Sequence, residues 1–339
     1  MKPVRMVPLH RIDLSDQTFS VNFMPDLEKL RASIEEVGLI QPILLKEKPD
    51  GYRIVSGFRR IAAVRELGQP GIESRIVGEE TEDLKLFFVS LHENLTSRGF
   101  NTVEKAMALD KLVHLFKVDP GVVTREFLSL FDLETNEKIL YTFLTLAGME
   151  EDLKRYVLKE EVSRTNIRRL AALSVEDRKG ALALFGVLRL GENSLRETLT
   201  LLEEIAQRDR CGIKGITGLP EIQALVSHPE LTSTQKTEKV KKVLMDLRYP
   251  RMSQLEEQFE KKRRELNLPS SISLHHSPFF EGKGIRIGFQ FQSMEEYRSI
   301  LSSLSALGEK KGLKEMMEES SPPASPPGRE GKERSGGSK

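Results

Sequence analysis

Apolar residues along this chain follow two rhythms. Short alternating runs interleave with helical spacing up to residue 94, and helical spacing then dominates to residue 247. Residues 7–12 predict a first strand, followed by a polar loop through Phe23. Asp26 is placed to cap a helix with Leu27, Leu30, Ile34 and Val37 on one face and Gly38 as its stop. Residues 42–46 and 52–55 flank the turn Pro49-Asp50-Gly51, which predicts a hairpin. From Phe58 the apolar positions Ile61, Val64 and Leu67 turn helical until Gly68. Ser56 and Gly57 occupy the turn before that helix, where Ser can cap and Gly lets the backbone approach a ligand. A strand at 73–77 and a helix at 84–94 complete a small mixed sheet with helices.

Beyond it, Asn101-x-x-Glu104 is a capping box, and Asp119-Pro120 opens another helix. A short link at 132–135 leads into a third helix that ends near Gly148, which is a helix-turn-helix pattern. Ser174 with Asp177 caps a further helix, and residues 194–207 supply another. Residues 211–219, with three glycines, read as a loop before a helical hairpin that Tyr249-Pro250 breaks. A charged helix at 252–266 precedes strands at 271–275 and 284–291 about a turn at 282–284, and Ser293-x-x-Glu296 caps a last helix. The expected fold is α+β and mostly helical. Its domains are 1–98 with the sheet, 99–248 all-helical, 249–310 as helix-strand-strand-helix, and a disordered tail at 311–339 rich in Lys, Glu, Ser, Pro and Gly.

Composition narrows the function. Of the 339 residues 38% are apolar and 30% charged, which suits a helical, solvent-rich protein better than a large compact enzyme. Cys211 is the only cysteine, so an intrachain disulfide and a cysteine-based zinc site are both excluded. No run of ~18 apolar residues and no leader pattern is present, so a cytoplasmic protein without a membrane partner is expected. The net charge of +1 leaves any nucleic-acid binding to local patches. Arg164, Arg168 and Arg169 form one such patch, and lysines at 236–242 and the basic run at 261–264 form two more, each equally readable as a solvated helix face.

Arg59 and Arg60 carry the sharpest chemical signal. They lie in the first turn of their helix, the wrong end for cations by roughly 0.3–1 kcal/mol each, and a bound anion would reverse that sign. The bland alternative is that both extend along the helix into water. Their surroundings favour the anion. Gly38-Leu39-Ile40-Gln41-Pro42-Ile43 stands upstream, Ser56-Gly57-Phe58-Arg59-Arg60 follows, and Glu93-Asn94-Leu95 stands downstream. In this order they resemble the three motifs of the ParB family N-terminal domain, and residues 7–307 follow the family order of three-motif domain, helix-turn-helix region and small C-terminal dimerisation domain.

The resemblance implies a homodimeric, DNA-binding partition protein of chromosome or plasmid, nucleoid-associated, gated by CTP with Mg, with a partition ATPase as a candidate partner. It implies nucleotide contacts from Gln41, Gly57, Arg59, Arg60, Glu93 and Asn94, with no metal site from protein groups alone. Two departures stand out. Phe58 replaces a family Glu implicated in hydrolysis, so at most a weak CTPase and no catalytic residue is expected, and Thr96-Ser97 replace Gln-Arg, with Arg98 one position late. The alternatives are a DNA-associated scaffold or nucleoid regulator that has lost hydrolysis, and a phosphotransferase or nuclease on the same fold. In the candidate recognition helix Asn136, Lys138 and Thr142 are expected to face outward, but no arginine does, so this helix reads equally as a packed one. Phosphate contacts from Arg164, Arg168 and Arg169 would position DNA without specifying it. Ile285, Ile287, Phe289 and Phe291 alternate along the last strand as a face for a second copy, or as an edge hairpin on the chain's own helices.

Overall fold

The computed structural model describes residues 3–276, 284–308 and 313. Residues 282 and 283 of the expected turn, and the expected tail apart from Leu313, lie outside them. In chain order the elements are β1 Arg5–Pro8, β2 Ile12–Asp13, α1 Glu28–Val37, β3 Ile43–Lys48, β4 Gly51–Ser56, α2 Phe58–Glu66, β5 Gly71–Val77 and α3 Asp83–Ser97. Helices follow: α4 Thr102–Asp110, α5 Pro120–Val122, α6 Glu137–Ala147, α7 Glu151–Lys159, α8 Arg164–Ala172, α9 Val175–Phe185 and α10 Glu192–Asp209. Then come α11 Ile213–Thr217, α12 Pro220–Ser227, α13 Ser233–Arg248, α14 Pro250–Glu265, β6 Ile272–His276, β7 Ile285–Phe289 and α15 Met294–Gly308. Two compact units organise the chain, residues 1–199 with 212–218 and residues 200–211 with 219–339.

In the first unit a five-stranded mixed sheet runs in the order β1-β5-β3-β4-β2. The strand expected at 7–12 is therefore two strands on opposite edges of the sheet, with β1 antiparallel to β5 and β2 parallel to β4. Pro8 has no amide hydrogen to continue the ladder, and residues Leu9–Arg11 make one tight helical turn between the two. The hairpin of β3 and β4 forms as its turn signal requires. Gly51 at φ +146° lies where a Cβ would collide with the carbonyl oxygen of Arg11, so no other residue fits there. Ile43, Leu45, Ile54, Ile72 and Ile76 form the core with Ile34 of α1 and Ile61, Ala63 and Val64 of α2. Lys46 and Arg53, cross-strand partners in the hairpin, both bind Asp83 at the start of α3.

The helix signals downstream hold. Asn101 and Glu104 make the reciprocal capping box of α4, Asp119 accepts from the amide of Val122, and Ser174 accepts from Asp177. The glycine-rich stretch at 211–219, expected as a loop, contains the short helix α11 instead. Asp177 Oδ1 accepts the Lys214 amide at 3.0 Å and Lys214 Nζ reaches Glu176 at 2.5 Å, so side chains of α9 fix the turn that its glycines alone would leave free. The second unit holds α12 and α13 as the expected helical hairpin, and α14 with β6, β7 and α15 around Phe259, Leu266, Leu274 and Leu307. No helix among the described residues is long and apolar enough to cross a membrane.

The polar loop before α1 is tied to the helix after α4 by Lys111, whose ammonium donates to the carbonyl oxygens of Gln17 and Thr18. Burial pushes this lysine down from 10.5 to about 8, against the pull of Asp16 and Asp110. Between those two values the unfolded chain binds more protons than the folded one, so this group makes stability rise with pH. Urea denaturation at pH 8 and pH 10 should therefore show a larger alkaline gain for the wild type than for Lys111→Met. Equal changes in both would show that Lys111 is solvated.

Candidate functional site

The site is built where β4 runs into α2. Gly57 holds φ +102°, a left-handed conformation, and a Cβ there would collide with Ile43, so the turn admits only glycine. Ser56, placed by its sequence to cap, lies one residue too early: it ends β4, and its hydroxyl makes no hydrogen bond. With Gly57 in the cap position, no side chain among the described residues accepts from the first-turn amides of α2. A cavity of about 270 Å³ opens on this helix start.

All six residues predicted for the nucleotide meet there: Gln41, Gly57, Arg59, Arg60, Glu93 and Asn94 line the cavity together. Phe19, Val21, Leu30 and Phe58 supply apolar walls, and Asn22, Asp26, Ser97 and Arg98 complete the lining. Arg60 pairs with Glu93 and donates to the carbonyl oxygens of Gln41 at 3.1 Å and Pro42 at 3.2 Å. Arg59 donates through Nε to Asn22 Oδ1 at 3.0 Å and through Nη2 to Glu104 Oε1 at 3.0 Å. Burial first, and the neighbouring Arg98 second, hold Arg59 below its ordinary pKa, although Glu104 opposes them.

Arg98 reaches the same cavity. The helical run of α3 stops at Ser97, and Arg98 takes φ −149° before Gly99 turns at φ +71°. The side chain swings back to Asn94 Oδ1 at 3.0 Å, Asn22 Oδ1 at 3.2 Å and Glu104 Oε2 at 2.7 Å. Leaving the helix is what brings this side chain to the cavity. Glu104 itself is fully buried and accepts from four donors, the two arginines and the amides of Phe23 and Asn101. Its capping-box position announced a helix start but not this second role. Asn22, in a loop with no pattern, carried no signal at all.

Residues 1–95 match the ParB N-terminal domain family. These first 95 residues are thus similar to a ParB N-terminal domain. Among curated relatives, a nucleoid occlusion protein of Halalkalibacterium halodurans is 31% identical over 147 residues, covering 43% of this chain and 49% of its own. A probable chromosome-partitioning protein ParB of Vibrio cholerae is 30% identical over 151 residues, covering 44% and 49%. The chain thus spans about half the length of the curated relatives it matches. A solved C-terminally truncated chromosome-partitioning protein ParB from Caulobacter crescentus, complexed to the centromeric parS site, is 24% identical, with a TM-score of 0.33 over 58% of this chain and 97% of that one.

Outside this ParB domain the predicted residues are less well gathered. Asn136 caps α6, its side-chain oxygen accepting the Lys138 amide at 2.8 Å, and Lys138 is exposed. Thr142 is not outward as expected: it is buried and donates to the Lys138 carbonyl at 2.7 Å. Tyr141 and Thr145, four residues apart, share the exposed face that was assigned to it. On α8, Arg168 is exposed and Arg164 pairs with Glu134 at 3.1 Å, while Arg169 donates to the carbonyl of Arg196. The three arginines therefore do not form one free patch. In the second unit Ile285 packs on the small core, while Ile287, Phe289 and Phe291 are 41%, 38% and 48% exposed. Phe291 lies beyond the end of β7, where its ring packs on Tyr297 with centroids 5.0 Å apart.

Glu104 carries the heaviest electrostatic duty in this domain. Glu104→Gln, which keeps the shape and removes the charge facing Arg59 and Arg98, should lower unfolding stability by about 3–5 kcal/mol in urea titration. A loss within error of the wild type would show that the two arginines are satisfied by Asn22 and water.

Proposed function

We propose that this chain is a DNA-binding, ParB-like partition or nucleoid protein whose N-terminal domain binds a nucleoside triphosphate, CTP with Mg. The observation that carries the reading is the convergence of Gly57, Arg59, Arg60 and Arg98 on one cavity at the start of α2. Three guanidiniums with a glycine-capped helix start suit a polyphosphate, since helix dipole and charge-assisted hydrogen bonds act in the same direction. Phe19, Val21 and Leu30 form an apolar wall for a base or sugar. Among the described residues no group of three or more His, Cys, Asp or Glu stands ready for a metal. A magnesium ion would come with the phosphates, and Glu93, 33% exposed and among the described residues paired with Arg60, is the carboxylate that could help hold it.

Phe58 sets the limit of this function. It lines the cavity and packs on the domain core, and a phenyl ring can position neither water nor metal. The second reading, a DNA-associated scaffold without hydrolysis, rests on that residue. A sulfiredoxin-like phosphotransfer has less support, because Cys211 is exposed and lies outside the N-terminal domain. For the DNA partner, α6 offers Lys138, Tyr141 and Thr145 outward, and α8 offers Arg168 with Arg164 one turn away. The relatives' names favour chromosome over plasmid, and a nucleoid location in the cytoplasm; a partition ATPase is a further candidate partner.

Calorimetry with CTP, ATP and GTP in magnesium tests the nucleotide directly. CTP should bind with a Kd below millimolar, and Arg60→Ala should abolish the signal. Binding indifferent to that substitution, or none at millimolar nucleotide, would leave the scaffold reading.

The exposed row Ile287, Phe289, Phe291, Met294 and Leu301 supports a homodimer formed through the helix-strand-strand-helix segment. Two strands with two helices bury little surface alone, and a twofold partner would cover both that row and an open strand edge. Removing residues from Tyr249 onward should give a monomer in analytical ultracentrifugation, and Ile287→Lys should do so in the full chain. A dimer that survives the deletion would place the interface elsewhere.

A further inference from the structure

Arg60 has a cavity on its other side as well. A second space, of about 280 Å³, is lined in part by Ser56, Arg60, Arg75, Val89 and Glu93, and it shares Gln41, Arg60 and Glu93 with the first. Strand register builds its floor. Leu44 of β3 pairs with Ser56 of β4 on one side and with Arg75 of β5 on the other, so the three residues stand in a row across the sheet. Two of them bring unspent polar groups. Ser56 is 2% exposed and its hydroxyl has no hydrogen-bond partner among the described residues, an arrangement that costs free energy unless something completes it. Arg75 is exposed, and its guanidinium has no ion-pair partner among the described residues.

We infer that this second cavity is the subsite for the terminal phosphate of the bound nucleoside triphosphate, with Arg75 and the Ser56 hydroxyl as its donors. The inference rests on the nucleotide reading proposed above and adds to it two residues outside the three motifs. The chemistry of the two spaces divides the ligand between them. The first cavity alone carries aromatic rings, Phe19 and Phe58, beside Val21 and Leu30, so base and sugar are placed there, while the apolar lining of the second is Pro42, Leu44 and Val89. The second has two guanidiniums and a hydroxyl against one carboxylate, Glu93, already paired with Arg60. A doubly charged terminal phosphate supplies the acceptors those donors lack, whereas a base would leave Arg75 without a counter-charge. Arg60, which borders both spaces, would lie between the terminal and preceding phosphates once Glu93 releases it.

Diphosphate and triphosphate should therefore feel these residues differently. Calorimetric titration of CTP and CDP, with magnesium, would be carried out on the full-length wild type, Arg75→Ala and Ser56→Ala. Arg75 is exposed, so its replacement leaves the fold intact, and circular dichroism checks both variants. The expected result is a loss of about tenfold or more in CTP affinity for Arg75→Ala, a smaller loss for Ser56→Ala, and CDP affinity within twofold of wild type for both. Equal losses for CTP and CDP, or no change for either, would overturn the subsite while leaving nucleotide binding in place. A wild type that binds neither nucleotide would overturn both the subsite and the reading beneath it.

Discussion

One buried carboxylate organises the N-terminal half of this protein. Glu104 has no exposed surface, yet each of its oxygens accepts from one guanidinium and one backbone amide. A buried charge is tolerable only when fully paired and hydrogen-bonded, and here the pairing fixes the geometry of everything it touches. Through Arg59 it holds the start of α2, through Arg98 the end of α3, through the Asn101 amide the start of α4, and through the Phe23 amide the loop before α1. Four segments separated by up to 81 residues meet on a single side chain. The helix start that would bind an anion and the first helix of the helical region are thereby one rigid piece.

This arrangement gives the three arginines of the site unequal freedom. Arg59 and Arg98 face a carboxylate that water cannot reach, so removing either would strand a charge at a cost of several kcal/mol. Arg60 faces Glu93, which is 33% exposed and can be rehydrated when its partner turns away. On the nucleotide reading, competition between carboxylate and phosphate would be decided at Arg60, while Arg59 and Arg98 would contribute by remaining in place and adding to the field. It follows that the cavity is preorganised on one side and adjustable on the other, which would keep the cost of ordering low for an anion.

Much of this was legible in the residues. The alternation of β4, the glycine turn and the helical spacing after Phe58 placed the site, and the capping residues Asn101, Asp119 and Ser174 placed three helix starts, because these signals are local. What failed was non-local. The run at 7–12 reads as a single strand until its two ends are seen to pair on opposite edges of the sheet, a choice made by β4 and β5 rather than by the run itself. Thr142 reads as outward because a hydroxyl suits a surface, yet it is buried and its hydroxyl donates to the backbone carbonyl of Lys138, a bond that periodicity cannot announce. Arg98 reads as one position late against the motif, because linear spacing does not show the chain leaving the helix after Ser97.

Phe58 then becomes intelligible as a trade between packing and chemistry. It stands at the first position of α2, where an acid would be favoured by the helix dipole and would share the cavity with three arginines. A phenyl ring there gives up that attraction, and gains contact with the domain core on one side while adding to the apolar wall on the other. The exchange removes a negative charge from the place where phosphates would sit, so it favours holding an anion at the same time as it withdraws the group needed to activate water. If the nucleotide reading holds, a site with this constitution would be better suited to sensing a nucleotide by occupancy than by turnover, and its off-switch would be dissociation.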